Sequence, residues 1–138
     1  MFANVLLDTE KDAFIKLLLY LARIDGELSK EEITAIQQIC LELGLDFPHI
    51  FEGKEPIVLN LEEILQQISS PLSKRVIILE LVKLAHADKN YTDSEHKSIQ
   101  YIANILGVSE EKIVEIEEWV QEGVVWFDNG IKIISEEE

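Results

Sequence analysis

The chain matches itself when it is shifted by 63 residues. Leu21 falls on Leu84, Ala22 on Ala85, Asp25 on Asp88 and Glu32 on Glu95. In the same ungapped frame Ile36 falls on Ile102's neighbour in the face, Ile99, Ile39 on Ile102, Leu43 on Leu106 and Gly44 on Gly107. Ser29/Thr92 and Leu45/Val108 are conservative matches. A repeat of this kind constrains the fold more than any other feature, because two similar units, each with an unburied apolar face, pack on one another about a pseudo-two-fold axis.

Each unit reads as a helix, a turn of pattern Asp-x-x-[Leu/Tyr]-[Ser/Thr]-x-x-Glu and a capped amphipathic helix. The first helix opens at Thr9, three residues before Asp12, and runs to about Ile24, apolar almost all round. Such a helix is buried on several sides. Ser29-x-x-Glu32 is a capping box for the second helix, whose face is Ile33, Ile36, Ile39, Cys40 and Leu43, with Gly44 at its end. Pro48, Gly53 and Pro56 break the stretch 45–60. Asn60 caps a short helix to about Ile68, and Ser70-Pro71 opens the apolar helix of the second unit. Thr92-x-x-Glu95 caps its partner, with Ile99, Ile102, Ala103 and Leu106 inward and Gly107 at the end. An acidic helix, Glu110 to Glu122, closes at Gly123; Trp119 packs in the core with Ile113, Ile116 and Val120 or, if exposed beside Trp126 and Phe127, marks a partner surface.

The C-terminal segment reads differently. Val124-Val125-Trp126-Phe127 and Ile131-Lys132-Ile133-Ile134 flank Asp128-Asn129-Gly130, the pattern of a two-residue β-hairpin. Both faces of that hairpin are apolar, so one covers the helices and the other meets another chain, as in a homodimer, or a later segment. The fold class expected is therefore all-α, a pseudo-two-fold bundle of two helical repeats (about 10–45 and 71–108) within a domain 1–123, followed by a short C-terminal β-hairpin and acidic tail over 124–138.

The balance of 12 Lys+Arg against 27 Asp+Glu gives a charge of −15 in 138 residues. No basic stripe exists to hold phosphates, which argues against nucleic acid and against an anionic membrane surface as partners. No signal peptide or membrane span is expected, because the apolar run Phe14 to Ile24 is interrupted by Lys16 and Arg23. A soluble cytoplasmic protein is the expectation. The single cysteine, Cys40, lies on an apolar helix face and reads as a buried structural thiol. His49, His86 and His96 form no i, i+4 zinc pair, and no nucleophile motif or phosphate loop is present.

Ala22-Arg-Ile-Asp-Gly-Glu-Leu-Ser-Lys-Glu-Glu32 resembles the signature of the TerB-like family, which takes in bacterial tellurite-resistance proteins and the N-terminal region of a membrane-anchored co-chaperone. Ala85-His86-Ala87-Asp88 with Thr92 and Glu95 is similar to the family's second half, and the likeness spans about Leu17 to Val108. It implies an all-helical pseudo-symmetric domain whose repeated acidic residues have been proposed to bind metal, and it does not imply an enzyme. The second turn departs from the pattern, with Lys89 in place of the glycine and Asn90 in place of the acid.

The acidic turns have two readings. In one, Asp25 makes an Asx-turn and Ser29/Glu32 and Thr92/Glu95 are caps, each cap worth about 0.5–2 kcal/mol. In the other, Asp25, Glu27 and Glu32, with Asp88 and Glu95 across the pseudo-axis, form an oxygen-ligand site for a hard divalent cation, calcium or magnesium. An EF-hand is rejected: its sixth position would be Lys30 or Asp93 where Gly is required, and its twelfth Ile36 or Ile99 where Glu is required. No other cofactor is indicated. The function expected is a non-enzymatic, stress-related binding or scaffold protein with protein partners. The alternative is a metal-dependent hydrolase using the same carboxylates.

Overall fold

The computed structural model describes residues 2–24, 29–45, 60–86 and 91–135. A 3₁₀ turn (Phe2–Val5) leads into α1 (Asp8–Ala22), α2 (Lys30–Leu43), α3 (Leu61–Leu65), α4 (Pro71–Ala85), α5 (Asp93–Leu106) and α6 (Glu110–Ser135). The repeat is visible in the helix bounds, since α1 and α4, and likewise α2 and α5, begin and end at positions that are 63 residues apart.

Burial follows the same frame. Ala13, Phe14, Ile15, Leu18, Leu19, Leu21 and Ala22 of α1 are buried, and so are their counterparts Val76, Ile77, Ile78, Leu81, Val82, Leu84 and Ala85 of α4. These two helices pack on each other at the centre. Each also packs on its own second helix and on that of the other unit, the arrangement a two-fold axis between α1 and α4 requires. Near that axis the equivalent residues Glu10 and Ser73 meet, with the Ser73 hydroxyl donating to Glu10 Oε1 at 3.1 Å. Glu10 is 2% exposed, and its Oε1 also accepts the Leu7 N–H at 2.9 Å. Pairing of this kind is what makes a buried carboxylate tolerable.

The helix ends repeat as well. Ser29 and Thr92 are N-caps with extended backbones. Gly44 and Gly107 lie in the left-handed region at φ 70° and 78°, where L side chains are strained. Leu45 N–H then reaches the Cys40 carbonyl, and Val108 N–H the Ala103 carbonyl, both at 2.8 Å, closing each helix as a Schellman motif.

Two expectations are corrected. The first helix starts at Asp8 rather than at a Thr9 cap, because Glu10 reaches back to the Leu7 N–H and leaves Thr9 inside the first turn. The C-terminal β-hairpin is absent: residues 124–135 continue α6 without a break. Ile113, Ile116 and Val120 are buried, and Val124, Phe127, Ile131 and Ile134 extend their 3–4 spacing. That helical period outweighs the Asn129-Gly130 turn signal. A glycine inside a helix costs only about 1 kcal/mol relative to alanine, whereas extending an anchored helix adds one hydrogen bond per residue and an isolated hairpin is marginal. Gly123 therefore does not close the helix, and neither it nor Gly130 has a positive φ.

Candidate functional site

The carboxylates expected at the acidic turns split into two groups. Asp25, Glu27 and Asp88 lie outside the described residues. Glu32 and Glu95 are described, and both are buried at the N-termini of α2 and α5. Glu32 Oε1 accepts the Ser29 N–H at 3.1 Å while Ser29 Oγ accepts the Glu32 N–H at 3.1 Å. Glu95 Oε1 accepts the Thr92 N–H and the Thr92 hydroxyl, each at 3.2 Å, and Thr92 Oγ1 accepts the Glu95 N–H at 3.2 Å. The cap uses Oε1 of each glutamate. Among the described residues no three His, Cys, Asp or Glu side chains gather as a metal cluster would.

Sequence reasoning missed a polar cluster that ties the second unit to α6. His86 follows α4, and its Nδ1–H donates to the Val82 carbonyl at 2.8 Å. Its ring stacks on Tyr91, with centroids 4.5 Å apart and planes 17° apart. The Tyr91 hydroxyl donates to Glu117 Oε2 of α6 at 3.0 Å and lies 2.9 Å from His96 Nδ1, which is itself 3.0 Å from Glu117 Oε2. With the phenol proton committed to Glu117, the His96 Nδ1 beside that carboxylate is the protonated ring nitrogen. Burial first, then the Glu117 hydrogen bond, pushes the Tyr91 phenol well above its ordinary range. The first unit has Arg23 and Ile33 where the second has His86 and His96, so this corner breaks the pseudo-symmetry. Cys40 is buried as expected, and burial raises its thiol.

Beside the cluster, α6 runs past the end of α4 and leaves a groove of about 440 Å³. Trp119, Val120, Val124, Phe127 and Ile131 form its apolar wall, and Lys83, His86 and Asp128 supply its polar lining. Lys83 also pairs with the buried Glu80 carboxylate at 3.5 Å. Trp119, expected in the core, is 50% exposed and lies in an edge-type arrangement with the Phe2 ring, 6.0 Å between centroids. Trp126 (77%), Ile133 (73%) and Ile134 (83%) are still more open. Large exposed apolar side chains are thus concentrated on the second half of α6. The 3–4 spacing from Ile113 to Ile134 was the signal that could have revealed it.

Fold and surface together define a duplicated helical-hairpin domain whose last helix carries exposed apolar side chains. The family model for "Tellurite resistance protein TerB" matches residues 11–118, and the chain belongs to that family. No curated protein and no solved structure gives a significant match. The matched segment covers both repeats and stops just before Trp119, so the exposed half of α6 lies beyond it.

Proposed function

We propose that this chain is a non-enzymatic cytoplasmic binding module of the TerB family, serving a stress response by docking proteins on the second half of α6. The observation that carries the reading is the exposure of Trp119, Trp126, Phe127, Ile133 and Ile134 on one helix alongside an apolar groove. No helix among the described residues is long and apolar enough to cross a membrane. A photo-crosslinking residue placed at Ile134 is expected to give discrete protein adducts in cells. Absence of any adduct, with the chain folded and expressed, refutes the reading.

Divalent-cation binding by the acidic turns is the finer part of the proposal. It rests on the recurrence of acidic or amide side chains before Glu32 and Glu95, whose caps occupy one carboxylate oxygen each. Calorimetric titration with calcium and magnesium tests it. Heat that disappears in Asp25→Asn supports a site at the first turn, and silence in the unaltered chain removes it.

A further inference from the structure

We propose that the occupant of the exposed face of α6 is a second copy of this chain, bound antiparallel through α6 itself. This rests on reading that face as a docking surface, and it names the partner. At 100° per residue, Trp119, Gly123, Trp126, Gly130 and Ile133 share one stripe, alternating large and small along its first four positions.

Among the described residues, nothing crowds either glycine. Neither has a positive φ, and a Cβ on either would meet nothing within 4 Å. Glycine inside an exposed helix weakens it, so its use there points to something that must come close from outside. The stripe supplies that object. With the two-fold axis passing between Val124 and Val125 of the pair, Trp119 lies level with Gly130 of the second copy, and Gly123 lies level with Trp126 of the second copy. Each indole faces a notch and each notch receives an indole, as the self-complementarity of a two-fold interface demands.

Area and charge agree with this occupant. Trp119, Trp126 and Ile133 on the stripe, with Ile134 and Phe127 beside it, leave roughly 700 Å² exposed per copy, within the range one partner contributes to a specific interface. Despite the net −15, residues 123–135 carry only Asp128 and Lys132, which cancel and lie on the helix side opposite Gly130. Of the residues before them, Glu115 and Glu122 edge the stripe, and Glu115 is paired with Lys112 at 2.9 Å. Glu122, at the stripe's edge, approaches its own counterpart, so added salt strengthens the pair.

Sedimentation equilibrium of the full chain from about 1 to 200 µM tests the proposal. The expected species has twice the 15.8 kDa chain mass. Gly123→Leu/Gly130→Leu fills both notches with a better helix former in space that the single chain leaves open. It is expected to keep the far-UV helical signal and to weaken self-association at least about tenfold, as is Trp126→Gln. A monomeric parent chain overturns the proposal, and so does a dimer that the leucine variant leaves equally tight. A monomer that floats with phosphatidylcholine vesicles assigns the stripe to lipid and overturns it too. Adducts from position 134 to a different protein, found with a monomeric chain, would remove the second copy while leaving the docking reading standing.

Discussion

Ser73→Ala removes the hydroxyl that joins the two repeats near their pseudo-axis. In the parent, Ser73 Oγ accepts from the Ser70 hydroxyl at 2.8 Å and donates to Glu10 Oε1 at 3.1 Å. Glu10 is almost fully buried, and without Ser73 its remaining donor among the described residues is the Leu7 N–H. Loss of a hydrogen bond to a buried carboxylate costs about 2 kcal/mol, more than loss of a neutral one at the surface. In a domain of this size that corresponds to a fall in Tm of about 7 °C. Urea denaturation at fixed protein concentration measures the free energy. A double-mutant cycle with Glu10→Ala, which removes the acceptor oxygen itself, isolates a coupling of roughly 1–2 kcal/mol. A loss below about 0.5 kcal/mol for Ser73→Ala, or a cycle that closes to zero, would refute the claim that this contact ties the halves together.

Ser29→Ala and Thr92→Ala are each expected to cost about 1 kcal/mol by urea denaturation, and to cost similar amounts, because the two caps share one geometry. Gly107→Ala is expected to destabilise by about 1 kcal/mol although its Cβ would meet nothing within 4 Å, because the penalty lies in the backbone at φ 78°. Tyr91 adds a pH dependence: its phenol ionises near pH ~10 when unfolded but keeps its proton longer when folded, so its stabilisation is complete below that pH and declines as pH rises above it. Tyr91→Phe should therefore flatten the alkaline limb of a stability–pH profile, and an unchanged limb would count against the buried hydrogen bond to Glu117.

Much of this was legible without coordinates because it rests on local chemistry. The two capping boxes, the left-handed glycines and the apolar faces of α2 and α5 follow from residues three and four apart, and the repeat fixed which helices are equivalent. Trp119 and the hairpin mark where that reading ended. Asn129-Gly130 favours a tight turn, and Val124 to Phe127 suits a strand, but both preferences are worth less than the growth of a helix already anchored through Ile113, Ile116 and Val120. The polar cluster was equally hidden, since Tyr91, His96 and Glu117 come together only when α6 packs on α4 and α5.

The amino-acid order by itself determined a duplicated helical unit, its caps, its acidity and its family, because each depends on short-range spacing or on composition. Tertiary structure alone decided that Glu10 and Ser73 face one another, that the second repeat is stitched to α6, and that the last turns of α6 carry their apolar side chains into the open. Those outcomes depend on how far one helix travels beyond the helices it lies against, a distance that no local preference encodes.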